Sequence, residues 1–211
     1  MKFNSQIGQD RWVLSVIGEK TDGFFIELGA CDGLYYSNTL YFEEKYGWNG
    51  ICIEPNDIYF EKLKTNRKCY VSNSLISSEK NKNVEFILND AISSINDNTI
   101  GPFTKTDNNI IVNKITTTLE DVLDLYNSPL IIDYLSLDVE GHEYEVMKNF
   151  NFDKYKFRCI TVEHNEPHIG DMLQKSIRKL FKDNNYSFVK GNDNVHNWNH
   201  GPIDDFYIYN F

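Results

Sequence analysis

The sequence predicts an α/β fold in which a mostly parallel sheet carries helices on both faces, and two observations lead there. Apolar strand-like runs alternate with helix-like segments along the chain, and the runs GFFIELGACDG, GICIEPN and LIIDYLSLDVEG each end at acids and turn residues. Alternation of this kind specifies parallel strands covered by helices, and ligands in such folds bind beyond the carboxyl ends of the strands. At 211 residues the chain reads as one domain, residues 1–211, because domains typically run to about 100–200 residues. A chain of this length buries about 70% of its unfolded surface, so neither a disulfide nor a metal is needed to complete the core.

The first apolar run stops near Leu28, as expected of a strand buried on both faces. From Ser37 the pattern becomes helical: Ser37 is placed to cap the first turn, Leu40 and Tyr41 face inward and Gly47 closes the helix. Ile51, Cys52 and Ile53 make a second strand that stops at Glu54 and Pro55, and a helix follows to about Arg67. CYVSNSLIS reads as a third strand and NVEFIL as one more. Residues 89–113, rich in Asn, Asp, Ser and Gly, read as a loop or lid. Thr117 or Thr118 opens the helix TTLEDVLDLY with an acid three residues on, and Leu119, Val122, Leu123 and Tyr126 share one face. LIIDYLSL is the strongest strand of the second half, with a helix from about His142, and FRCITVEHN is the fifth main strand. Leu173, Ile177, Leu180 and Phe181 lie on one face of a further helix. YSFVK and DDFYIYNF are terminal strands joined by a polar loop over 190–203.

Thirty-one acidic against 21 basic residues give a formal charge of −10, spread along the chain. That balance disfavours nucleic acid and anionic membrane surfaces as partners. The N-terminal MKFNSQIGQDRWVLSVIG lacks the apolar run of a secretory signal, and no stretch approaches the roughly 18 apolar residues of a spanning helix. A cytoplasmic protein is expected. Cys31, Cys52, Cys69 and Cys159 form no CxxC pair and three of them lie in apolar runs, the pattern of buried thiols.

Three strand ends carry acids: Glu27 through Asp32, Glu54, and Asp138 with Glu140. A lone acid at such a place is ordinarily a helix cap, whereas three at one sheet edge point to a ligand. ELGACDG is similar to a nucleotide-binding glycine loop but lacks GxGxxG and GK[ST], which argues against a pyrophosphate cradle and against a nicotinamide-dependent oxidoreductase. Glu54, ending the next strand, is positioned to accept hydrogen bonds from ribose hydroxyls. Adenosine without phosphates fits, and a cationic ligand gains from Glu27, Asp32 and Asp138.

At this point SQIGQD, GFFIELGACDGLYYSNTLYFEEKYGWNGICIEPN, IDYLSLDVEGHEYEVMKNF and ITVEHN, taken in that order, resemble the FkbM-type S-adenosylmethionine-dependent methyltransferases over roughly residues 5 to 165. The resemblance implies a Rossmann-like class I methyltransferase fold, with a mostly parallel seven-stranded sheet and an antiparallel last strand. It implies methyl transfer to an oxygen: a hydroxyl of a free sugar, a nucleotide sugar or a glycan, or alternatively of a polyketide-type or other small molecule. A non-catalytic domain that retained the fold is the remaining reading. Carried over, Glu27, Leu28, Gly29, Ala30, Asp32 and Gly33 would wrap the methionine part, with Ser37 and Asn38 near its carboxylate. Glu54 would hold the ribose, Pro55, Asn56 and Tyr59 would flank the adenosine, and Ser74 or Ser94 would touch the adenine. Gln6 and Gln9 would close over the amino-acid end, unless Ser5 to Asp10 is simply a helix N-cap.

Methyl transfer to a hydroxyl needs a base or a metal at the hydroxyl proton, and Asp138, Glu140, His142, Glu163 and His164 are the candidates. Asp138, Glu163 and His164 form a carboxylate, carboxylate and imidazole set suited to a divalent cation such as Mg2+. Without a metal, His164 or His142 is the general base. Glu143 and Glu145 read as solvated helix surface, and Asp204 and Asp205 as strand-edge charges. All five histidines lie beyond residue 140, and His168 with the segment carrying His196, Trp198 and His200 is a candidate acceptor pocket. An oligomer stays open.

Overall fold

The computed structural model describes residues 2–96, 110–166, 170–191 and 203–211. Its strands are β1 (Phe24–Leu28), β2 (Asn49–Ile53), β3 (Tyr70–Ser72), β4 (Leu75–Ile76), β5 (Asn83–Leu88), β6 (Ser94–Ile95), β7 (Ile110–Thr117), β8 (Ile131–Leu137), β9 (Lys156–Glu163), β10 (Tyr186–Gly191) and β11 (Asp204–Tyr209). The helices are α1 (Gln9–Ile17), α2 (Leu40–Tyr46), α3 (Asp57–Asn66), α4 (Leu119–Leu125), α5 (Glu143–Met147) and α6 (Met172–Asp183). Among the described residues the strands form a seven-stranded sheet of order β10-β11-β9-β8-β1-β2-β3 and a four-stranded sheet of order β4-β7-β5-β6. In the larger sheet β11 runs antiparallel to both of its neighbours, and the other pairs are parallel.

The period-2 alternation of side chains divides the core between the two faces. Ile26, Leu28, Ile51, Ile53, Leu135 and Leu137 point to one face, where they meet Leu119, Val122 and Leu123 of α4, Val146 and Met147 of α5, and Ile177 and Phe181 of α6. Phe25, Cys52 and Tyr134 point to the other, against Trp12 and Val13 of α1, Tyr41 and Phe42 of α2, and Leu63 of α3. Three helices therefore cover each face. The α/β class, the parallel sheet and the antiparallel last strand agree with the sequence expectation.

Local signals explain the helix ends. Thr118 Oγ1 accepts the Asp121 N–H at 3.1 Å at the start of α4, and Asn56 Oδ1 accepts the Ile58 N–H at 3.0 Å at the start of α3, both ordinary N-caps. Gly47 closes α2 in the left-handed region at φ 66°, where glycine carries no Cβ penalty.

Three segments differ from expectation. CYVSNSLIS is two strands, because Asn73 turns the chain by donating from Nδ2 to the carbonyls of Glu54 and Pro55 at 2.9 and 3.3 Å. β3 stays with the larger sheet while β4 pairs with β7. Residues 89–113 are not loop throughout: Ser94–Ile95 pair with β5, and β7 begins at Ile110 and runs antiparallel to β5. The sequence hides β7 because Asn113 and Lys114 interrupt its apolar run and the strand is buried at few positions. The N-terminal segment is the third: Ser5 to Asp10, expected either to close over the amino-acid end of a ligand or to be a helix N-cap, leads into α1, a helix outside the elements that the periodicity predicts. Residues 97–109 of the 89–113 segment, 192–202 of the 190–203 loop, and His168, His196, Trp198 and His200 lie outside the described residues.

All four cysteines are free thiols; Cys52 and Cys159 are buried as expected, but Cys31 and Cys69 are only partly so. No helix among the described residues is long and apolar enough to cross a membrane.

Phe181 is fully buried and its ring meets those of Phe152, Tyr186 and Tyr207. Phe181→Ala is expected to destabilise the fold by about 3–5 kcal/mol, read as a lower midpoint in urea unfolding followed by circular dichroism.

Candidate functional site

Strand register assembles the site. Leu28, the last residue of β1, stands beside Ile53 of β2 and Leu137 of β8. Leu137 stands beside Val162 of β9, and Asp204 of β11 faces Glu163. The next residue along each strand therefore falls in one row: Glu54, Gly29, Asp138, Glu163 and Asp204 share a single edge of the sheet. Gly29 is required there. Its φ is 74°, and a Cβ would lie 1.9 Å from the backbone oxygen of Asp138. The Gly29 and Ala30 N–H groups both donate to the Ile53 carbonyl at 3.1 Å, which draws the loop tightly over β2.

A buried ion network fixes the rest of that loop. The Glu27 carboxylate accepts from Ser37 Oγ at 2.9 Å, Thr39 Oγ1 at 2.5 Å and the Asn38 N–H at 2.6 Å. Arg67, at the end of α3, donates to Glu27 at 3.2 Å, to Ser37 Oγ at 3.0 Å and to Thr39 Oγ1 at 2.9 Å, and it pairs with Glu43 at 3.0 Å. The guanidinium is wholly buried. Glu27 is thus neutralised by Arg67 and turned into the loop, so it adds little to the attraction for a cationic ligand. Asp32 also serves the loop: its Oδ1 accepts the Leu34 and Tyr35 N–H groups at 2.9 and 2.8 Å. Gly33, with φ 79°, lies against Arg67 and Leu63, where a Cβ would come within 2.6 Å of each.

Two cavities open beyond the edge. The larger, about 440 Å³, is lined among others by Gln6, Gln9, Glu27, Gly29, Ala30, Ser37, Asn38, Ser136, Asp138, Glu140 and Glu163. Asn38 Nδ2 donates to Ser136 Oγ at 2.8 Å in its wall. The smaller, about 60 Å³, is an apolar slot between Ile53, Pro55, Leu75, Ile76, Phe86 and Ile95 with Glu54, Ser74, Ser94 and His142 at its polar positions. Leu28, Gly29, Ala91, Asp138 and Glu140 belong to both. Glu54 accepts the Asn56 N–H at 2.7 Å and the Cys31 N–H at 2.9 Å. Ser94 Oγ is buried with no hydrogen-bond partner among the described residues.

Most residues singled out in the sequence come together here: Gln6, Gln9, Glu27, Leu28, Gly29, Ala30, Ser37, Asn38, Glu54, Pro55, Ser74, Ser94, Asp138, Glu140 and Glu163. Asp32, Gly33, Asn56 and Tyr59 do not line either cavity; the first three shape the loop or cap α3. Sequence reasoning missed Tyr35, Tyr36, Ala91, Ile92 and Ser136 as lining residues and Arg67 as the loop's anchor. The only signal for Arg67 was an arginine at the end of a lysine-bearing helix.

The acids shape the chemistry. Burial pushes the Glu140 carboxyl up to about 9, with the Asp138 and Glu143 charges adding to the effect. Burial raises Asp138 as well, and raises Glu163 well above the usual range. Glu54 is pushed up to about 7 by burial even though the Asn56 and Cys31 N–H groups pull it down. Asp204, buried and close to Asp138, is also pushed up to about 7. A desolvated cluster of like charges holds protons until a cation arrives.

Four expectations are corrected. Glu143 is buried, not solvated, with Oε1 accepting the Val139 and Gly141 N–H groups at 2.9 and 3.1 Å. Asp204 and Asp205 are buried too: Asp204 accepts from Gln9 Nε2 at 3.0 Å, and Asp205 takes two hydrogen bonds from Arg178 at 2.7 Å. His164 leaves the acid set because alternation sends it away from Glu163; its ring lies 3.2 Å from Gln174 Nε2 and 3.4 Å from Asp205. The carboxylates able to share a metal ion are those of Asp138, Glu143 and Glu163, with one oxygen from each within 4.8 Å of the others. His142 sits on the slot side, 3.0 Å from Ser77 Oγ, and lines only the smaller cavity.

The family model described as the methyltransferase FkbM domain matches residues 27–188. None of the curated proteins matches the chain. Among solved structures, the human methyltransferase 10 domain containing protein is similar with a TM-score of 0.56 at 15% identity, over 97% of this chain and 82% of that one. The N-terminal domain of human METTL16, solved in complex with S-adenosylhomocysteine, gives 0.52 at 14% identity over 95% and 68%. The magnesium protoporphyrin IX methyltransferase of Synechocystis, solved with bound S-adenosylmethionine, gives 0.52 at 8% identity over 95% and 76%. At these identities the likeness establishes the fold.

Removing the Arg67 guanidinium leaves Glu27 buried without its partner. Arg67→Met is expected to destabilise by about 3–5 kcal/mol, measured by denaturant titration. Arg67→Lys should recover only part of that, because an ammonium cannot span the two carboxylates and two hydroxyls that the guanidinium joins.

Proposed function

Because the chain belongs to the methyltransferase FkbM family, we propose that it is an S-adenosylmethionine-dependent O-methyltransferase acting on a carbohydrate hydroxyl. The observation that carries the reading is the pair of cavities meeting at Gly29, an apolar slot beside Glu54 and a larger acid-lined chamber. In this reading the purine lies among Ile53, Ile76, Phe86 and Ile95, whose side chains part to widen the slot from about 60 Å³, with Ser94 Oγ, unpartnered among the described residues, facing a ring edge. Glu54 accepts from ribose hydroxyls with the lone pairs its backbone donors leave open. The chamber suits an amino acid, with the Asn38 and Ser37 side at the carboxylate and the acids at the positive centre. The donor supplies an electrophilic methyl on a sulfonium.

Asp138 lines both cavities and is the proton acceptor in this reading: the acceptor oxygen forms its bond to carbon as the carbon–sulfur bond breaks, and the hydroxyl proton passes to the carboxylate. Glu140 and Glu163 stand beside it and supply negative potential. A cation among these groups favours their ionised forms, so its binding releases protons and leaves Asp138 able to act as a base. A second reading adds a divalent cation on Asp138, Glu143 and Glu163. Glu143 Oε2 favours it, being buried with no hydrogen-bond partner among the described residues.

Calorimetry with S-adenosylhomocysteine tests the donor site. Micromolar binding is expected, weakened at least about tenfold, or 1.4 kcal/mol, in Glu54→Ala; no detectable binding, or equal affinity in the variant, would refute the assignment.

The pH dependence has a definite sign. Ionised carboxyls bind the cation, and those with raised values must first lose protons. Affinity for S-adenosylmethionine should therefore rise from pH 6 towards pH 9, the window set by the values of about 7 and about 9. S-adenosylhomocysteine, which lacks the sulfonium charge, should show a flatter profile.

Asp138→Asn should lower turnover about 10²–10⁴-fold in transfer of labelled methyl to a sugar panel, while still binding S-adenosylhomocysteine. Turnover abolished by chelator and restored by Mg2+ would select the metal-assisted reading. Turnover on hydroxylated aglycones but no sugar would reject the carbohydrate acceptor.

A further inference from the structure

A second, more open groove of about 680 Å³ runs beside the larger cavity, and Gln6, Tyr35 and Tyr36 line both. It lies between the N-terminal segment and the turn that follows β1. That segment is tied down: Asp10 Oδ2 accepts the Asn4 and Ser5 N–H groups at 2.7 and 3.1 Å, and Asn4 Nδ2 donates to the Leu34 carbonyl at 2.6 Å. The groove walls are thus set by hydrogen bonds to the same turn that borders the donor chamber.

Three features of the groove have no part in the core. Tyr35 and Tyr36 are 59% and 47% exposed, with ring centroids 4.2 Å apart. Tyr36 has φ 50°, a left-handed conformation that is strained for a bulky residue and that tends to occur at ligand sites. Lys2 and Arg11 line the groove, and they are the only cationic side chains on any of the three cavities among the described residues. Arg11 lies over the Phe3 ring at 4.9 Å, which holds its guanidinium at the groove wall. Asp10 and Asp32 also line the groove, but their carboxylates are taken up by the Asn4 and Ser5 N–H groups and by the Leu34 and Tyr35 N–H groups, whereas the donor chamber is lined by Asp138, Glu140 and Glu163 and would repel an anion.

We infer that this groove is the acceptor site and that its ligand is a phosphorylated sugar. The C–H face of the sugar ring packs on Tyr35 and Tyr36, whose flat rings supply contact area at little conformational cost. The phosphoryl group meets Arg11 and Lys2, the guanidinium fork matching phosphate geometry. The separation of charge orients the ligand: its anionic end stays at the N-terminal segment and a ring hydroxyl passes Gln6 into the acidic chamber. This inference rests on the chamber being the donor site.

Saturation-transfer NMR and calorimetry on the full chain loaded with S-adenosylhomocysteine, with hexose 1-phosphates, nucleoside diphosphate sugars and methyl hexosides as probes, test it. Phosphorylated sugars should bind at least tenfold tighter than the methyl hexosides. Arg11→Gln should remove that preference, and Tyr35→Ala should weaken binding of every sugar about tenfold while the variants keep the circular dichroism and melting profile of the parent. Protein that binds S-adenosylhomocysteine but none of the phosphorylated sugars overturns the groove assignment and leaves the donor site standing. So does sugar binding that is equal in the parent, Arg11→Gln and Tyr35→Ala. Failure to bind S-adenosylhomocysteine counts instead against the donor site.

Discussion

The buried pair of Glu27 and Arg67 is the interaction on which the site depends. A carboxylate at the end of β1 is taken out of water, and that is tolerable only because a guanidinium from the end of α3 reaches it and the Ser37 and Thr39 hydroxyls and the Asn38 N–H complete its hydrogen bonds. The same guanidinium binds Glu43 of α2. One cation thereby fixes β1, the turn at 37–39, α2 and α3 relative to one another. Breaking a buried pair of this kind leaves a desolvated charge, so the geometry of the glycine loop and of Asn38 beside the chamber is inherited from Arg67, which itself lines neither cavity.

A second constraint follows from topology. Parallel strands end on one side, so the acids at the ends of β2, β8 and β9 must converge beside Gly29 of β1, and β11 adds Asp204 because it enters the sheet from the opposite direction. The convergence is unfavourable without a counter-charge, and the raised carboxyls of Asp138, Glu140 and Glu163 record that. Net charge of −10 is in this sense partly local, with several acids gathered at one edge and, among the described residues, the lysine and arginine side chains that line the cavities confined to the N-terminal segment.

Much of this was legible in the residues. Glu54, Gly29, Asn38 and Asp138 could be placed because strand ends, a glycine loop and a helix start have local signatures. His164 and Glu143 could not. His164 alternates away from its neighbour Glu163 and is taken up by Asp205 and Gln174 from distant elements. Glu143 has the local pattern of a surface helix acid, and only the turn before α5 buries it by folding the Val139 and Gly141 N–H groups onto its carboxylate. Residues 94–95 and 110–117 were hidden for a related reason, since a small antiparallel sheet with exposed positions leaves no continuous apolar run to read.

By itself, then, the sequence determined the alternating α/β plan and the acids at the strand ends, because periodicity, capping and turn residues act over a few positions; the antiparallel last strand was implied by the family resemblance of its motifs. Only the tertiary structure decided which of those acids line the cavities, which are neutralised by an arginine forty residues away in sequence, and that two exposed tyrosines join the larger cavity to a groove at the N-terminus. Burial and charge pairing between elements far apart in the chain set those outcomes, and no local pattern encodes them.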